Sequence, residues 1–145
     1  MQGTWAQLAT TFRKALVACP KDGFPQWERN KLRDFPTQCC EVASFLLAHF
    51  LWDKGHRNIR WVFGYLDPPN LKISHLWLES DGWIIDITAS QFDDALESVV
   101  VAQANGQSWH SNVYEWERDL VQSDSRWAKY GTTYATVKGW LEGAG

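Results

Sequence analysis

A chain of 145 residues with a formal charge of −3 and no run of Lys or Arg lacks the electrostatic footprint of a nucleic-acid or anionic-membrane partner. Its hydrophobic fraction of 45% and charged fraction of 21% are those of an ordinary globular protein, and one domain of this length can bury roughly 68–70% of the surface its unfolded form exposes. No window approaches the roughly eighteen consecutive apolar residues of a spanning helix, and no long apolar stretch follows a basic start, so a single cytoplasmic domain over residues 1–145 is expected, with no membrane association.

In chain order, Trp5, Leu8, Phe12, Leu16 and Cys19 recur at a three-to-four spacing, which predicts an amphipathic helix over Thr4 to Cys19. Pro20, Gly23 and Pro25 end it, and the polar stretch from Gln26 to Asp34 reads as a loop or short helix. From Cys39 or Cys40 to Trp52 the pattern is again helical but apolar on most sides, with Gly55 where a C-terminal cap belongs. Ile59 to Leu66 reads as a strand, broken by Asp67, Pro68, Pro69 and Asn70. Two more strands are predicted at Lys72 to Ser80 and Trp83 to Thr88 around an Asp81-Gly82 turn, and a fourth at Glu97 to Gln103. The remainder, Ser108 to Gly145, reads as helices and loops. The expected fold is α+β, with the Cys39/Cys40 helix packed on an antiparallel sheet of about four strands.

The hairpin permits a geometric test. With Asp81 and Gly82 central in a type I′ turn, Ser80 pairs with Trp83, and His75, Trp77, Glu79, Ile84, Asp86 and Thr88 share one face. Leu76, Leu78, Ile85 and Ile87 share the other, a continuous apolar face that supports this register. His75 and Asp86 then become diagonal neighbours at roughly 7–8 Å between backbone positions, a gap that an imidazole and a carboxylate can bridge. The chain thus offers, in order, a thiol at a helix start, an imidazole on one strand and a carboxylate on the next. A thiol at the first helical turn meets unpaired backbone N–H groups and the positive end of the helix dipole, which favour a thiolate and can donate to an oxyanion. Cys40, His75 and Asp86 are therefore the expected nucleophile, base and orienting acid, although the residues alone leave Cys39 open as the nucleophile. Gln38 and Cys39 are candidates for the oxyanion side, and Trp77, on the His75 face, for the wall of a substrate groove.

Three cysteines, two of them adjacent, make no disulfide framework, so reduced thiols are expected. No metal or other cofactor is implied, because adjacent cysteines suit tetrahedral zinc poorly. Asp93, Asp94 and Glu97 read as a solvated helix start.

The segments FPTQCCEVASFLL and SHLWLESDGWIIDITASQF, spanning roughly Phe35 to Phe92, resemble the transglutaminase-like and papain-like cysteine superfamily. In that superfamily a Cys heads a helix, and His and Asp or Asn lie on neighbouring antiparallel strands. The spacing of Cys40 and Ser44 is similar to the papain-type nucleophile helix, which favours Cys40 over Cys39. The resemblance implies a cysteine hydrolase (peptidase, amidase or protein deamidase) acting on a peptide or protein substrate. A transglutaminase-like acyltransferase, or an inactive peptide-binding module, is the alternative on the same core. Glu41 stands where many relatives have Gly, and its carboxylate would work against a thiolate beside it.

Overall fold

The computed structural model describes residues 2–66 and 73–144. The expected chain break at Asp67, Pro68, Pro69 and Asn70, and the start of a strand at Lys72, lie outside them. Helix α1 spans Gln2–Ala18 and buries Trp5, Ala9, Phe12 and Leu16, the stripe that its sequence spacing sets. The stretch Gln26–Leu32 is a short helix, α2, entered through Pro25. Helix α3, Cys40–Asp53, buries every residue from Val42 to Ala48 as well as Phe50 and Leu51. It is enclosed because α1, α2, α4 (Ser125–Ala144) and the sheet all lie against it. Its C-terminus closes as expected at Gly55, whose φ of 97° lets the His56 amide donate to the Leu51 carbonyl at 3.1 Å.

The structure is α+β, with one antiparallel sheet of five strands in the order β4-β3-β2-β1-β5. The strands are β1 Ile59–Tyr65, β2 Ser74–Ser80, β3 Trp83–Asp86, β4 Val100–Gln103 and β5 Tyr114–Leu120. The β2-β3 register is the expected one, Ser80 opposite Trp83 and Leu78 opposite Ile85. Positive φ at both Asp81 (52°) and Gly82 (82°) makes the connection a type I′ turn. Leu76, Leu78, Ile85 and Ile87 enter the main core with α1 and α3. Val62, Trp77, Ile84 and Val113 form a second, smaller cluster, joined by Leu66 and Trp109.

Three sequence expectations need correction. β3 ends at Asp86 rather than Thr88, because the chain turns there into a 3₁₀ turn at Ala89–Gln91. β4 begins at Val100 rather than Glu97. A fifth strand, β5, lies within the segment read as helices and loops. It is an edge strand, exposed from Tyr114 to Asp119; Tyr114, Trp116 and Leu120 alternate with Glu115, Glu117 and Asp119, but Arg118 interrupts the apolar set and no buried face reinforces it. A bulge at Phe63/Gly64 brings β5 so close to β1 that a Cβ on Gly64 would lie 2.3 Å from the Tyr114 carbonyl oxygen. Among the described residues no helix is long and apolar enough to cross a membrane.

Candidate functional site

Cys40 is the first residue of α3 and is partly exposed, whereas the Cys39 side chain is 1% exposed within the main core. Burial, with the neighbouring Cys40 adding to it, pushes the Cys39 thiol up to about 12. The apolar core claims the Cys39 side chain, so the thiol left partly exposed at the helix start is that of Cys40. Gln38 enters the helix with a left-handed φ of 58°, and its backbone amide donates to Gln91 Oε1 at 3.0 Å. Gln91 Nε2 donates in turn to the Thr88 carbonyl at 3.0 Å. One turn into α3, Ser44 Oγ donates to the carbonyl of Leu76, the residue after His75, at 3.3 Å. The helix start is thus tied to the ends of both strands that carry the other candidate residues.

His75 is completely buried, and its Nε2 lies 2.6 Å from Asp86 Oδ2. The diagonal pairing expected from the hairpin register is present, with the side chains closing the gap between backbones. Nδ1 of His75 lacks an aligned hydrogen bond, yet the Cys40 thiol lies close enough to act on the ring by hydrogen bonding and charge. Nδ1 is thus the ring nitrogen that Asp86 leaves free, and Cys40 is the thiol whose charge bears on the ring. Burial opposes an imidazolium at His75, but the charge and hydrogen bond of Asp86, with smaller contributions from Cys40, outweigh it and raise the group. Burial likewise opposes the Asp86 carboxylate, and His75 and His110 outweigh it, holding the group well below the usual carboxylate range. Oδ1 of Asp86 accepts from the Thr88 amide at 2.9 Å and from Thr88 Oγ1 at 3.4 Å. The carboxylate is fully buried and fully hydrogen-bonded, which is what a buried charge requires.

An aromatic shell encloses His75. Phe92 and Trp109 meet its ring edge-on at centroid distances of 4.9 and 5.9 Å, and Trp77 stacks at 5.7 Å. Trp77 is 3% exposed and its indole N–H donates to Glu79 Oε2. Trp77 lines a cavity of about 260 Å³ together with Glu79, His110 and Arg118, and neither Cys40 nor His75 lines it. Gln38 is exposed, and its amide N–H is committed to Gln91. Glu41, whose charge counted against a thiolate at Cys40, is bonded to Arg126 Nη1 and Tyr130 Oη, each at 2.7 Å.

Sequence reasoning missed His110. Its Nε2 lies 2.7 Å from the same Asp86 Oδ2 that His75 uses, and the residue is 5% exposed. The one local signal is Ser108, which caps the 3₁₀ turn Trp109–Asn112 through the His110 amide. No spacing links that turn to Asp86, 24 residues earlier. His75, Asp86 and His110 each bring one possible ligand atom within 4.8 Å of the others, a set that also has the donor types of a zinc site. Ligands about 2.0–2.1 Å from a tetrahedral ion stand roughly 3.3 Å apart, so separations of 2.6 and 2.7 Å are those of hydrogen bonds.

Comparison of the chain with protein-family models, with curated proteins and with solved structures finds no match in any of the three.

Proposed function

We propose that this protein is a cysteine-dependent hydrolase that attacks an amide or related acyl carbon of a peptide or protein substrate, on a papain-like or transglutaminase-like core. The observation that carries the reading is the state of His75. It is buried, its Nε2 is held by Asp86, and its Nδ1 is uncommitted beside a partly exposed thiol at a helix N-terminus. In the proposed reaction the Cys40 S–H proton has already passed to His75 Nδ1, because Asp86 and Cys40 favour the imidazolium, and the thiolate of that pair adds to the carbonyl carbon. The N–H groups of the first turn of α3 face the developing oxyanion. The C–N bond breaks as His75 returns the proton to the leaving amine, leaving a thioester. A water molecule gives a proton to His75 as its oxygen bonds to the thioester carbon; the C–S bond breaks, and the thiolate-imidazolium pair is restored. Asp86 holds the imidazole in the required tautomer throughout.

The test is the rate at which iodoacetamide modifies each cysteine, located by mass spectrometry, in the wild type and in His75→Ala. A lone thiol is only a few per cent thiolate near pH 7, so an activated pair should make Cys40 react about tenfold faster than in His75→Ala. Slow alkylation that ignores His75 would refute the reading and turn attention to binding. With activation established, hydrolysis of peptide, amide and protein-glutamine substrates separates the three classes of hydrolase.

A further inference from the structure

Asp86 Oδ2 accepts two imidazole N–H groups, and the reaction proposed above uses one of them. The second, on His110, has its tautomer set locally. The His110 backbone amide donates to Ser108 Oγ at 3.3 Å, which leaves the hydroxyl proton free to point at His110 Nδ1, 3.5 Å away. The ring proton is thereby placed on Nε2, facing the carboxylate. The charged and titratable groups around the pair come from several elements. His75 faces Asp86 on β3 and Cys40 on α3. His110 faces Asp86 and, across the cavity, Glu79 on β2 with Glu115 and Arg118 on β5. Arg118 is bonded to both glutamates, at 2.6 Å to Glu115 and 3.2 Å to Glu79, so those charges largely compensate one another. His110 is the donor that modulates what Asp86 presents to His75.

We infer that His110 is a positioning residue that shares the Asp86 carboxylate with His75 and so loosens the hold of that carboxylate on the His75 imidazolium. The inference rests on the Cys40-His75-Asp86 reading. A carboxylate oxygen divided between two donors binds each less strongly, and the His110 N–H dipole meets the same Oδ2 as His75 Nε2, the two nitrogens lying 2.7 and 2.6 Å from it. The consequence is chemical. An imidazolium gripped by an otherwise unshared buried carboxylate is a weak acid, whereas the leaving amine must be protonated by a group that releases its proton readily.

The measurement is the ratio of iodoacetate to iodoacetamide alkylation rates at Cys40 as a function of pH. An imidazolium attracts the anionic reagent over the neutral one, so the ratio falls as His75 loses its proton and its midpoint reports that group. His110→Gln keeps an amide N–H near the position of Nε2, while His110→Asn is too short to reach Asp86. The midpoint should rise by about one pH unit in the Asn variant, the size expected for losing a hydrogen bond to a charged group, and return to the wild-type value in the Gln variant. An unmoved midpoint in a folded His110→Asn protein would overturn the inference even if its melting temperature fell, since a purely packing role predicts that pattern. If the Asn variant does not fold, nitrogen-15 NMR of the wild type decides: a neutral His110 ring with its proton on Nδ1 and a bare Nε2 is fatal to the inference. Stoichiometric zinc in the purified protein would also overturn it, because a metal ion would take the place of both Nε2 protons. A wild-type ratio that ignores both pH and His75→Ala refutes the triad itself and not the role of His110 within it.

Discussion

Asp86→Asn preserves the shape of the side chain and removes its charge. With its oxygen kept toward the Thr88 amide, the new NH₂ group stands where Oδ2 accepted from both His75 and His110. Three donors then face one another, and relief requires each imidazole to move its proton to Nδ1. For His75 that puts a proton on the nitrogen beside Cys40, where a base is needed. The thermodynamic loss is large because the carboxylate is fully buried: two hydrogen bonds to a charged group contribute about 1.5–3 kcal/mol each, partly offset by no longer burying the charge. Breaking buried pairs costs about 3–5 kcal/mol in general, which for a chain of this size lowers the melting temperature by roughly 10–16 °C.

The pH dependence gives the sharper signature. His75 is raised on folding, so its contribution is complete below its unfolded value of about 6.5 and is lost as the pH climbs through its folded value of about 10. Asp86 is depressed, so its contribution is complete above about 3.9 and is lost as the pH falls through the folded value. The stability deficit of the variant should therefore be greatest between about pH 4 and 6.5 and narrow toward pH 10. Urea unfolding across that range is the assay. A deficit that stays constant with pH would show that no ionised His75-Asp86 pair contributes to stability.

Two further outcomes follow from the fold. Gly64→Ala drives a methyl group to 2.3 Å from the Tyr114 oxygen, so β5 must separate from β1; a loss of about 1–3 kcal/mol with faster hydrogen exchange in β5 is expected, and wild-type exchange would contradict the close approach. Iodoacetamide should leave Cys39 unmodified in the native protein and label it only on unfolding, since burial pushes that thiol up to about 12; rapid native labelling would place it outside the core.

The amino-acid sequence by itself determined the local features whose causes are local. The spacing of Trp5, Phe12 and Leu16 specified α1, and Gly55 specified where α3 stops. Asp81-Gly82 and the alternation of Leu76, Leu78, Ile85 and Ile87 set a hairpin register that puts His75 and Asp86 on one face, because a slip of one residue would expose the apolar face. The tertiary structure decided what depends on packing between distant segments. It placed Cys39 in the core and Cys40 at the surface, though both are the same residue type at adjacent positions. It buried Trp77 against His75 and His110, and it paired Tyr114–Leu120 with β1 as β5, a strand whose short Tyr114/Trp116 alternation no buried face reinforces. It brought His110 to Asp86 through a loop whose course no periodicity encodes, so the second half of the carboxylate's hydrogen bonding became visible only when the chain had folded.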